Sequence, residues 1–125
     1  MKFIYLLLFL TLLIGCAQKI QYSTISSEEA QDLNAIILDI RTPIEYDSGH
    51  IKDAILINYY EENFRDNLNK LDKNEKYFIY CRSGHRSKDT LIIMQELNFT
   101  NVYNLQKGII EWKMRGYPIE NNLNF

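Results

Sequence analysis

Tyr77-Phe78-Ile79-Tyr80-Cys81-Arg82-Ser83-Gly84-His85-Arg86-Ser87 is the stretch that decides the fold. Its first four residues are apolar or aromatic without a break, the pattern of a short strand buried on both faces. That strand runs straight into a thiol and then into a turn of Arg, Ser, Gly and His. A helix is expected next, over Ser87 to Leu97, with Leu91, Met94 and Leu97 on its inner face.

The same alternation continues on both sides. Upstream, Tyr22 to Ile25 reads as a short strand. Ser26 and Glu29 have capping-box spacing for a helix running through Leu33. Ala35 to Ile40 is an apolar run carrying one acid, Asp39, near its end, as in a doubly buried strand. Pro43 suits the first turn of a helix over 43–47 that Gly49 ends. Ala54 to Ile57 reads as a strand, and Tyr59 to Leu71 as a helix with apolar residues at 60, 64, 68 and 71. Downstream, Val102 to Leu105 is a strand, and Ile109 to Arg115 a helix closed by Gly116 and Pro118. Strands alternating with helices imply an α/β domain with a mostly parallel sheet covered on both faces. Ligands bind such sheets beyond the carboxyl ends of the strands. Cys81 stands at that end of a central strand.

The turn after Cys81 supplies chemistry as well as an address. Successive N–H groups in a turn that leads into a helix form an anion cradle, and the helix terminus adds partial positive charge. Arg82, His85 and Arg86 add more, and Gly84 allows a bend that a Cβ would hinder. These features favour a thiolate, so Cys81 is expected to be a nucleophile with a lowered pKa. The anion-binding loop is expected to be Arg82, Ser83, Gly84, His85, Arg86 and Ser87. Asp39 and Arg41 are supporting candidates. Asp39 is expected to be structural, and Arg41 is four residues from Glu45, as in a helix-start ion pair.

Composition excludes several function classes. The chain has 125 residues, 24% charged and 46% hydrophobic, with a net charge of −2. That is the content of one globular domain, with no field to attract nucleic acid. Two cysteines make neither a disulfide framework nor a zinc ribbon. His50 has no second ligand histidine nearby and reads as a satisfied turn residue, so neither a metal nor a cofactor is expected. Trp112 reads as core. The nine tyrosines are too scattered for a base-stacking platform.

The other cysteine closes an N-terminal segment of a different kind. Lys2 precedes an apolar run from Phe3 to Ile14, interrupted only by Thr11. Spanning a bilayer takes roughly 20 residues, so this run suits a signal-peptide core instead. It ends in Leu13-Ile14-Gly15-Cys16, which resembles the lipobox of bacterial lipoproteins. The resemblance implies cleavage of residues 1–15 and lipidation of Cys16. A lipidated tether over 16–23 and a domain over 24–122 would follow. The protein would then be anchored in the bacterial cell envelope, facing the periplasm. Ala17, rather than Asp, after the cysteine leans toward the outer membrane.

Four separated motifs resemble a single-domain rhodanese, a thiosulfate-type sulfurtransferase. They are Asp39-Ile40-Arg41-Thr42-Pro43-Ile44-Glu45-Tyr46, Gly49-His50-Ile51-Lys52-Asp53-Ala54, the Cys81 to Ser87 loop, and Gly108, Trp112, Gly116, Tyr117 and Pro118. The resemblance implies the rhodanese-like fold, a mostly parallel five-stranded sheet with helices on both faces. It implies ping-pong transfer, in which Cys81 takes the outer sulfur of a small anionic donor such as thiosulfate and holds it as a persulfide. Cyanide, a small thiol or a protein cysteine then removes it. Arg86 and Arg82 would attract the donor. Phosphatases and arsenate reductases on this fold place five residues between Cys and Arg, whereas four separate Cys81 from Arg86, which favours sulfur. Such an enzyme remains one alternative, and a non-catalytic sulfur carrier or redox-sensing binding module is the other. Asp53, Leu56, Asn58 and Lys107 depart from the family pattern at turns and edges.

Overall fold

The computed structural model describes residues 19–123. The proposed signal segment and Cys16 lie outside the described residues. Twelve elements follow in order among the described residues: β1 (Gln21–Ile25), α1 (Ser27–Gln31), β2 (Ile36–Asp39), α2 (Pro43–Ser48), β3 (His50–Ile51), β4 (Ile55–Leu56), α3 (Phe64–Asn69), β5 (Lys76–Tyr80), α4 (His85–Glu96), β6 (Asn101–Leu105), α5 (Gly108–Met114) and β7 (Ile119–Glu120). Five strands form one parallel sheet in the order β1-β6-β5-β2-β4. This is the α/β architecture expected from the sequence, and β5 is its middle strand.

The uninterrupted apolar run of β5 is explained by burial on both sides. Successive side chains of a strand point to opposite faces. Tyr77 and Ile79 join Phe64, Leu68 and Met94 on the face covered by α3 and α4, and Cys81 continues that row. Phe78 and Tyr80 join Ala30, Ile109 and Trp112 on the face covered by α1 and α5. Trp112 is core, as expected, and its indole N–H donates to the Pro118 carbonyl.

The caps read from the sequence are present. Ser26 Oγ accepts from the Glu29 N–H at 3.1 Å, and Pro43 opens α2 behind a Thr42 cap. Three elements differ from the expectation. The strand read over Tyr22 to Ile25 forms but begins at Gln21, so Gln21 to Ser23, the end of the expected 16–23 tether, pair with Asn101 to Tyr103 at the sheet edge. The helix expected from Tyr59 starts only at Phe64, because Ile57 and Tyr59 donate to the carbonyls of Asp39 and Ile40 and keep the chain extended along β2. Helix α4 starts at His85 rather than Ser87, since Lys88 N–H already closes a helical bond onto the Gly84 carbonyl. A second sheet, antiparallel β3 and β7, has two residues per strand, too few to leave a periodicity.

Candidate active site

Strand β5 delivers Cys81 to the carboxyl edge of the sheet, and α4 begins four residues later. The loop between them is oriented by α5. The N–H groups of Ile109 and Ile110, at the start of α5, donate to the carbonyls of Cys81 and Arg82 at 3.0 and 3.2 Å. With these carbonyls turned outward, the loop's N–H groups are free to face the sulfur. Gly84 N–H donates to Cys81 Sγ at 3.1 Å, and Ser87 Oγ lies 3.4 Å from it.

Two glycines make this packing possible. Gly84 has φ +104°, and a Cβ there would sit 2.3 Å from the Gln106 carbonyl oxygen. Gly108 has φ +62°, and a Cβ there would sit 2.3 Å from the Arg82 carbonyl oxygen. Neither separation is tolerable for a side chain, and both φ values disfavour one. Gly108 belongs to the closing motif read from the sequence, but nothing in its spacing announced direct contact with the loop.

The thiol is 1% exposed and makes no disulfide. Burial pushes its pKa up, but the Ser87 hydroxyl and the N–H groups of Ser87, Gly84 and Ser83 outweigh that and hold it below the ordinary 9.0. The lowering is therefore made by hydrogen bonds to the sulfur, more than by the arginines invoked from sequence.

The arginines are spread out. Arg82 and His85 are exposed, as is Lys88, one turn into α4. Arg86 turns toward α2, where it pairs with Glu45 at 3.0 Å, and its guanidinium lies 5.5 Å from the centre of the Tyr60 ring. The Arg41–Glu45 pair expected from i,i+4 spacing does not form. Arg41 is buried and pairs with Asp39 instead at 2.7 Å, while its Nη2 also donates to the Gly49 carbonyl. Arg41 precedes α2, so the helical spacing did not apply to it. The same Asp39 carboxylate accepts from the Tyr80 hydroxyl at 2.6 Å, and that oxygen accepts from Ile51 N–H. Burial and the Asp39 charge push the Tyr80 phenol far above its usual pKa. Asp39 and Arg41 thus lock the ends of β2 and β5 to the Gly49–Ile51 turn behind the loop, the structural role expected of Asp39. His50 is buried in that turn, stacked on Tyr46 with its Nδ1 2.9 Å from the Tyr46 carbonyl. Glu45 and Tyr60 are site neighbours that sequence reasoning did not connect to Arg86, because the contact spans 41 residues of chain for Glu45.

Two hollows flank the loop and meet at Ser83. One, of about 580 Å³, is lined by Lys107, Ile110, Glu111, Met114 and Arg115. The other, of about 260 Å³, includes Thr24, His85, Lys88 and Asn104. Among the described residues no three His, Cys, Asp or Glu side chains cluster as metal ligands. No helix among them is long and apolar enough to cross a membrane.

Comparison with known proteins bears on this arrangement. Residues 25–115 match the family described as Rhodanese-like domain. A protein named sulfurtransferase from Allochromatium vinosum is 33% identical over 101 residues, covering 81% of this chain and 92% of that one. A tRNA uridine(34) hydroxylase from Legionella pneumophila is 40% identical over 88 residues, but the match spans 66% of this chain and only 34% of the hydroxylase. Among solved structures, a rhodanese-related protein from Thermoplasma volcanium superposes with a TM-score of 0.71 at 28% identity, covering 79% of this chain and 98% of that one.

Proposed function

The chain belongs to the rhodanese-like domain family, and on that premise we propose that it is a sulfurtransferase working through a persulfide on Cys81. The observation that carries this reading is the sulfur's setting. A buried Sγ accepts a backbone N–H at 3.1 Å from a loop whose carbonyls are bonded away to α5. Such a cradle stabilises a thiolate and, one sulfur further out, a persulfide anion. In the first half-reaction the Cys81 thiolate attacks the outer sulfur of thiosulfate. The S–S bond breaks, its electron pair leaves with sulfite, and Cys81 retains the sulfur as –S–S⁻. In the second, cyanide or a thiolate attacks the terminal sulfur and the electron pair returns to Cys81. No outside oxidant or reductant is needed. Arg82, His85 and Lys88, exposed around the mouth of the loop, would draw in the anionic donor.

The relative named sulfurtransferase supports this reading over 92% of its own length, whereas the hydroxylase extends far beyond the shared region. Thiosulfate and cyanide should yield thiocyanate with the wild-type protein and none with Cys81→Ser. Turnover of an aryl phosphate without thiocyanate would instead place the protein with the phosphatases of this fold.

We propose further that Cys16 is lipidated and holds the domain at the envelope membrane. The support is the Leu13-Ile14-Gly15-Cys16 sequence after an apolar run. A tethered domain of this kind would meet small donors and protein thiols on the periplasmic side.

A further inference from the structure

Arg86, the last basic residue of the loop, does not present a free charge. Its Nη2 donates to both carboxylate oxygens of Glu45, at 3.0 and 3.3 Å. The two side chains are 15% and 33% exposed, so water and salt screen the pair only in part. The Tyr60 ring beneath the guanidinium restricts it further. Arg86 Nη1 is buried and has no hydrogen-bond partner among the described residues. The guanidinium therefore keeps donor capacity, and the Glu45 charge is what limits its attraction for an anion. The surroundings are mixed: the exposed Asp89 carboxylate accepts from the Tyr59 hydroxyl close by, and two large apolar side chains are exposed. Ile44, next to Glu45 in α2, is 84% exposed, and Tyr60 is 66% exposed.

Building on the sulfur-transfer reading above, we propose that Glu45 sets the charge selectivity of the donor site. By neutralising Arg86 it favours a monoanionic sulfane-sulfur donor bearing an organic group over a dianion such as thiosulfate. Attack of the thiolate on a dianion gathers three negative charges at the loop, and attack on a monoanion gathers two. Each uncompensated charge in a partly dehydrated cleft weighs heavily on encounter and attack. An organic thiosulfonate is the matching probe, because the same bond is broken. The thiolate attacks its terminal sulfur, the S–S electron pair leaves with the organic sulfinate, and Cys81 keeps –S–S⁻. The organic group can lie against Tyr60, whose ring already contacts the Arg86 guanidinium.

The test compares kcat/KM for thiosulfate and methanethiosulfonate, with cyanide as common acceptor, in wild type, Glu45→Gln and Glu45→Asp. Wild type should prefer methanethiosulfonate. Glu45→Gln frees the Arg86 charge and should raise the thiosulfate value about fivefold or more while moving the thiosulfonate value less than about twofold, a gain that added salt erases. Glu45→Asp retains the charge and should keep the wild-type ratio. A role in folding alone would move both donors together. An unchanged donor ratio in Glu45→Gln, or a wild-type preference for thiosulfate, overturns the proposal. If neither donor places sulfur on Cys81, sulfur transfer itself fails and the selectivity fails with it.

Discussion

At the scale of single residues, two buried groups have opposite duties. Cys81, the proposed nucleophile, has its pKa lowered by hydrogen bonds from its own loop. Because those bonds keep its pKa below 9.0, the rate of sulfur loading should rise with pH and level off before a free thiol would. Ser87→Ala removes the hydroxyl beside Sγ and should move that rise to higher pH, read from the pH profile of thiocyanate formation. An unmoved profile would mean that the backbone N–H groups suffice. Asp39 is wholly buried against Arg41 and Tyr80. Removing it strands a buried guanidinium, so Asp39→Ala should cost about 3–5 kcal/mol in urea unfolding. Both residues were visible in the sequence, Cys81 by its place after a buried strand and Asp39 as an acid in an apolar run. The partner of Arg41 was misread because spacing alone favoured Glu45. Only the fold shows that Glu45 faces α4.

At the scale of elements, the start of α5 acts on the loop as directly as the loop's own residues do. Its first N–H groups hold the Cys81 and Arg82 carbonyls, and Gly108 lets the two backbones meet. Gly108 and Gly116 have similar φ values, +62° and +73°, but a Cβ at Gly116 would meet nothing within 4 Å. Gly116→Ala should therefore cost only the backbone strain, about 1–2 kcal/mol, and spare sulfur loading. Gly108→Ala should cost more in thermal unfolding and also suppress loading, because the added carbon displaces the loop. Equal effects of the two substitutions would remove α5 from the account. The long periodic elements, β2, β5, β6 and α4, were legible because burial on one or both faces writes itself into the apolar pattern. The two-residue strands β3 and β7 and the delayed start of α3 were not. They are set by hydrogen bonds to distant chain, such as Tyr59 N–H to the Ile40 carbonyl, which no local pattern encodes.

At the scale of the whole molecule, one parallel sheet places the proposed nucleophile Cys81 at its carboxyl edge, while the proposed lipid on Cys16 would attach five residues before β1, whose first residue lies at the opposite, amino edge. Cys16→Ala should then move the protein from the membrane fraction to the soluble fraction of cells expressing it. Unchanged partitioning would refute lipidation while leaving the chemistry intact. Stable attachment of this kind needs more than one acyl chain, so loss of the cysteine should act as a switch rather than a gradation. The central claim concerns Cys81 and is tested most directly by weighing the intact protein after exposure to thiosulfate or methanethiosulfonate. Wild type should gain about 32 Da, one sulfur atom, which cyanide then removes, and Cys81→Ser should gain nothing. No added mass on wild type, or the same addition on Cys81→Ser, would contradict the persulfide mechanism.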